Sequence, residues 1–216
     1  MSVFRIIGDV HGHQDLYADL IKDADYSIQL GDMGFDYSIV ETLDETRHRF
    51  VPGNHDNYDA LPPQAFQKDW GQVSMGPFDF FYIRGAYSVD KMWRTPGVSW
   101  WEQEEMGWSS ARQLVETVTA MEPKIIFSHD CPEICMDHGV ITNNAKFQLS
   151  LTTQIMSAVW EAWQPDLWMF GHHHNDWMQQ IDNTHFICLN SLSCADLVRS
   201  DDVLKVLIKK FSYDEE

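Results

Sequence analysis

The sequence predicts an α/β fold, a layered sandwich that is partly parallel. Three observations carry this expectation. Short β-branched or apolar runs alternate with stretches of helical periodicity early in the chain. Later segments read as antiparallel strands around glycine and proline turns. No repeat, low-complexity tract or linker interrupts them, so one domain over residues 1–216 is expected.

The elements follow in order. Val3 to Ile7 is a strand ending at Gly8. Leu16, Leu20 and Ala24, with Tyr17 and Ile21 beside them, recur at helical spacing. Tyr26 to Leu30 is a strand ending at Gly31, and Arg47 to Val51 is another, stopped by Pro52-Gly53. Gly71 to Tyr87 holds two or three antiparallel strands around Gly76-Pro77 and Gly85. Ser110 and Gln113 form a capping-box pattern before a helix carrying Leu114, Val118 and Met121. Lys124 to Ser128 is the next strand. A helix from Phe147 to Trp163 aligns Leu151, Ile155, Val159 and Ala162, and Pro165 stops it. Leu167 to Phe170 ends at Gly171, and His185 to Asn190 and Val203 to Phe211 close the fold.

Composition narrows the function. With 216 residues, 44% of them hydrophobic, the chain can bury a core without disulfides. Its 33 acidic and 15 basic residues give a formal net charge of −18. No lysine/arginine cluster makes a basic footprint, so no stable nucleic-acid binding is expected. No apolar run approaches membrane-spanning length and no charged-then-apolar leader opens the sequence, so a cytoplasmic protein without membrane attachment is expected. Cys131, Cys135, Cys188 and Cys194 read as free thiols. Cys131 and Cys135 supply half of a zinc site, but no second pair follows at zinc-ribbon spacing.

The informative pattern is where polar residues fall. Asp9, Asp32, Asn54, His129 and His172 each follow closely on a predicted strand end. Strand carboxyl ends line the ligand crevice of open α/β sheets. Side chains two apart in extended backbone point the same way, so Asp9 and His11 can act together, as can His172 and His174. Mixed carboxylate and imidazole donors suit Mn, Fe, Zn or Ni better than Ca or Mg.

Gly8-Asp9-Val10-His11-Gly12, Gly31-Asp32, Gly53-Asn54-His55-Asp56, Ser128-His129-Asp130 and Gly171-His172-His173-His174 resemble, in order, the five motifs of the calcineurin-like metallophosphoesterases. They span about three quarters of the chain. Arg84 to Trp101 is also similar to phage and bacterial members. The resemblance implies an α/β/β/α sandwich with two mixed sheets and the metal site at strand C-terminal ends. It implies two divalent transition metals, with Mn favoured. Asp9, His11 and His174 would hold one, Asn54, His129 and His172 the other, and Asp32 would bridge them. Such metals, roughly 3.5–4 Å apart, share a hydroxide that attacks phosphorus. His55 would protonate the leaving oxygen, oriented by Asp56.

The sequence departs from the serine/threonine phosphatases of that superfamily. Its first motif matches them, but Asp32 is followed by Met33-Gly34-Phe35-Asp36 where they carry Asp-Arg-Gly, and Asp56 stands where they have glutamate. Arg84 and Arg94 are candidates for a substitute phosphate clamp. His13 lies inside a motif but off its ligand positions, as does His173, and is a candidate for substrate contact. Trp93, Trp100, Trp101 and Trp108 cluster around Arg94; they read as an aromatic patch packed on the core, or alternatively as a lid that stacks a nucleobase. The expected partner is a small phosphorylated substrate, and a phosphomonoester is favoured. A nucleotide phosphodiesterase is the alternative; a non-catalytic metal-binding module and a DNA nuclease rank below it.

Overall fold

The computed structural model describes residues 2–141, 150–200 and 203–209. Two mixed sheets face each other with helices outside them. In the first, β1 (Phe4–Ile7), β2 (Tyr26–Gln29) and β3 (His48–Phe50) run parallel. β10 (Cys194–Ser200) pairs antiparallel with β1, and β11 (Val203–Lys209) with β10, giving the order β11-β10-β1-β2-β3. The second sheet has the order β4-β5-β6-β7-β9-β8. Its central strands β5 (Phe78–Ile83), β6 (Ile125–Ser128), β7 (Leu167–Phe170) and β9 (Thr184–Cys188) are parallel. The edges β4 (Trp70–Met75) and β8 (Trp177–Ile181) are antiparallel to their neighbours.

Period-two alternation sorts each strand between two cores. Phe4, Ile6, Ile28 and Leu30 of the first sheet meet Phe78, Phe80, Phe127 and Met169 of the second. The opposite face of the second sheet, with Phe81, Ile83, Ile126 and Trp168, packs under Leu114 and Val118 of α2 (Trp108–Met121) and Ile155 and Val159 of α4 (Leu151–Ala162). Tyr17, Leu20 and Ile21 of α1 (Gln14–Ile21) cover Ile7 and Phe50 on the first sheet. The order of layers is α/β/β/α.

Several boundaries differ from the sequence reading. α2 starts at Trp108 behind Gly107, so Ser110 lies inside the helix and caps nothing. Ser150 caps α4 by accepting the Thr153 N–H; Phe147 lies outside the described residues, as do Lys210 and Phe211 of the last strand. β8, β10 and the short α3 (Glu133–Asp137) were not anticipated. β8 is an edge strand whose Met178, Gln179 and Gln180 are exposed, which leaves no apolar alternation to read.

Candidate metal centre

β1, β2, β3, β6 and β7 end at a common edge, and the loops after them carry Asp9, Asp32, Asn54, His129 and His172. Donor atoms of Asp9, His11, Asp32 and His174 lie within 4.8 Å of one another, as do those of Asp32, His129 and His172. Asp32 belongs to both groups. Asn54 joins the second: its Oδ1 is 3.1 Å from His129 Nε2. All seven residues singled out as ligands therefore converge. His11, Asp32, His172 and His174 do so with φ of 48°, 58°, 64° and 46°. The left-handed region costs non-glycine residues of order 1–3 kcal/mol each, and such strain collects at functional sites. Glycines make room: a Cβ on Gly53 would collide with the Asp32 carboxylate and the His129 ring, and one on Gly171 with the Asp9 carboxylate.

The donors are oriented from behind. His129 Nδ1 donates to the Leu30 carbonyl at 2.7 Å, which turns Nε2 toward the Asp32 and Asn54 oxygens, both at 3.1 Å. The His172 N–H donates to Asp9 Oδ1 at 3.0 Å, and the His55 N–H to Asp32 Oδ1 at 2.7 Å. Asn54 Nδ2 donates to Ser88 Oγ at 3.3 Å, and Ser88 donates in turn to Glu104. This chain leaves Oδ1 as the amide atom that faces the centre.

The electrostatics suit a cation. Asp9 Oδ2 is fully buried, with His174 Nε2 at 2.9 Å and His11 Nε2 at 3.6 Å as its neighbours. The Nε2 atoms of His11 and His174 face one another at 2.8 Å. Against a burial cost, His11 and His174 hold Asp9 far below the usual carboxylate range. Burial also opposes His129 ionisation, yet Asp32 raises the imidazole to about 10. Burial lowers His172 to about 4. Carboxylates that must borrow imidazolium charge are a donor set that divalent metals fit, with release of those protons.

Asp56 does not orient His55. Its oxygens accept the N–H groups of Asp32 at 2.9 Å, Met33 at 3.1 Å and Gly53 at 2.8 Å, plus the Tyr37 hydroxyl at 3.3 Å. A short carboxylate turned inward at a loop corner is consumed by backbone donors, so Asp56 ties two ligand loops together. The partner of His55 is Arg94, whose Nη2 lies 2.6 Å from His55 Nε2 and whose Nη1 donates to the Asn54 carbonyl at 2.7 Å. Arg84 instead pairs with Asp69 at 2.8 Å and stacks over Tyr58. His13 is exposed at the start of α1. Sequence reasoning missed Ser88, Asp90 and Glu104, which sit in the aperiodic segment around Arg94. The tryptophans divide: Trp101 is buried and donates to Asp59 at 2.8 Å, whereas Trp93 is 78% exposed and Trp108 61%. The expectation of one core-packed patch therefore holds for Trp101 and not for Trp93 or Trp108.

Comparison with known proteins follows the same lines. The model of the calcineurin-like phosphoesterase family matches residues 3–176. A search of curated proteins returned no match. Among solved structures, a candidate 5′-nucleotidase from Staphylococcus aureus in complex with α-ketoglutarate is similar at a TM-score of 0.58 and 12% identity, over 99% of this chain and 56% of that one. The present chain thus spans little more than half of that protein. Phosphopantetheinyl hydrolase (PptH) from Mycobacterium tuberculosis has a TM-score of 0.52 at 11% identity, over 88% and 90% of the two chains. GAP50 of Plasmodium, the anchor in its inner membrane complex, has 0.51 at 10%, over 96% and 84%. At these identities the likeness is one of fold. No helix among the described residues is long and apolar enough to cross a membrane.

Proposed function

Because the chain belongs to the calcineurin-like phosphoesterase family, we propose that it hydrolyses phosphate esters with two divalent transition metals, Mn favoured, and that small phosphomonoesters are its preferred substrates. The observation that carries this reading is the sharing of Asp32 between two adjacent donor groups. Asp9, His11 and His174 would hold one metal; Asn54, His129 and His172 would hold the other. Bound there, the metals supply Lewis acidity to the phosphoryl group and to the attacking water.

The remaining work falls to side chains of the chain itself. His174 is the most open of the seven, its side chain 50% exposed, and His11 beside it is 26% exposed, so the ester enters on their side. Arg94 would meet the arriving phosphate, since a charge-assisted bond to phosphate outcompetes its bond to a neutral imidazole. Once Arg94 leaves its Nε2, His55, whose ring lies 5.1 Å from that of His11, would take up a proton from solvent and pass it to the leaving oxygen. Asp56 supports the loop geometry rather than the proton transfer.

A nucleotide phosphodiesterase is the second reading. Exposed Trp93, adjacent to Arg94, supports it as a surface on which a base can stack. Turnover of p-nitrophenyl phosphate and bis-p-nitrophenyl phosphate with Mn²⁺ separates the two readings, and no turnover of either across several metals would sink both. His55→Ala should keep the metal content and lose about 10²–10⁴-fold in rate, most for poor leaving groups. Equal losses for good and poor leaving groups would refute the acid role.

A further inference from the structure

The loop after β6 carries His129, Asp130 and Cys131 in succession, and the loop after β7 carries His172, His173 and His174. His129 and His172 face the centre described above. Their neighbours Asp130 and His173 meet elsewhere, beside Cys131. His173 Nε2 lies 3.2 Å from Asp130 Oδ1 and 3.3 Å from Cys131 Sγ. The donor atoms of Asp130, Cys131 and His173 lie within 4.8 Å of one another. Cys131 is fully buried, Asp130 is 2% exposed and the His173 side chain 8%.

We propose that Asp130, Cys131 and His173 form a third metal site that takes a thiophilic divalent ion of the zinc class. The separations have the right size. Zinc bond lengths at tetrahedral angles put nitrogen and oxygen ligands about 3.3 Å apart, and nitrogen and sulfur about 3.5 Å apart. The hydrogen-bonding alternative uses these atoms poorly, because one imidazole nitrogen faces both a carboxylate oxygen and a sulfur, and one N–H satisfies a single acceptor well. A cation engages all three lone pairs. The carboxylate is also braced as a metal ligand would be: Oδ1 accepts the Cys131 N–H at 2.8 Å, and Oδ2 the Thr153 hydroxyl of α4 at 3.2 Å. The fourth position is open to water or to the thiol of Cys135, which is buried four residues further along the chain. Binding releases the Cys131 thiol proton to solvent and leaves His173 neutral. The ion would pin together the loops that present His129 and His172.

Cobalt tests this directly, because the two-metal centre has only nitrogen and oxygen donors. Titration of the reduced protein with Co²⁺ should raise a near-ultraviolet thiolate-to-cobalt charge-transfer band that saturates by the third equivalent, at an amplitude of one thiolate site per chain, and is displaced by Zn²⁺. The band should persist in Asp32→Asn and vanish in Cys131→Ser. A wild-type protein with no thiolate band at saturating cobalt would overturn the proposal whatever the variants do, and so would a band unchanged in Cys131→Ser. Hydrolysis of p-nitrophenyl phosphate by the Mn-loaded protein, measured in parallel, reads the other centre. Its absence, together with that of bis-p-nitrophenyl phosphate hydrolysis across several metals, beside a cobalt–thiolate band would refute the hydrolase reading alone.

Discussion

Arg94 reaches Asp90, Glu104, Asn54 and His55 with one guanidinium. Its Nε pairs with Asp90 at 2.7 Å, Nη1 lies 3.9 Å from Glu104 and donates to the Asn54 carbonyl, and Nη2 meets His55. A lysine is a point charge on a flexible stem and cannot span that set. Arg94→Lys should therefore lower kcat/KM about 10- to 100-fold with metal content unchanged, and an unaltered kcat/KM with elemental analysis at wild-type level would contradict the role. Glu104 provides a pH test of the same segment. Burial raises its carboxyl from 4.5 to about 7, against the Ser88 hydroxyl, the Trp101 N–H and Arg94. Between those two values the folded state binds a proton that the unfolded state has already released. Stability from this group is thus complete below 4.5, declines as pH rises, and is gone above about 7. Glu104→Gln should remove that decline in urea unfolding run from pH 4.5 to 8. Parallel profiles for variant and wild type would show that another group titrates.

At the scale of elements, the ligand loops were legible because each motif sits where a strand stops, and strand ends can be read from apolar runs meeting glycine. The supports of those loops were not. Ser88 reaches Asn54 across 34 positions, from a segment without periodicity. Asp56 shares a motif with His55, yet its carboxylate turns inward to three backbone N–H groups, a choice set by loop curvature that no spacing encodes. β10 was missed for a related reason. Its Asp196 breaks the apolar pattern and is tolerated in the sheet because Arg5 of β1 donates to it at 2.8 and 3.2 Å, with Lys209 of β11 beside it. Arg5 itself is 1% exposed and also holds Asp23 and the Leu20 carbonyl at the end of α1. It thereby fastens β1, the strand that delivers Asp9, to its neighbour and to its covering helix. Arg5→Met should destabilise the fold by about 3 kcal/mol, because Asp196 keeps only the partly exposed Lys209, 2.7 Å away, as a partner. A loss under about 1 kcal/mol in urea unfolding would mean that Lys209 suffices.

At the scale of the whole molecule, charge acts against the proposed chemistry until the substrate is close. The chain carries −18, and two divalent ions would bring it to −18 + 4 = −14. An anionic ester therefore approaches through a repulsive field, while the cationic attraction of the metals and Arg94 is confined to the mouth. Screening separates the two ranges. The Debye length falls from about 30 Å at 0.01 M salt to about 8 Å at 0.15 M, which removes the long-range repulsion but reaches little of the contact attraction. Over that interval kcat/KM should rise, and more steeply for a dianionic monoester than for a monoanionic diester. Two different salts should give the same slope if screening, rather than anion binding at the metals, is responsible. A kcat/KM that falls with salt for both esters would mean that the positive field of the centre extends past the surface and dominates the encounter.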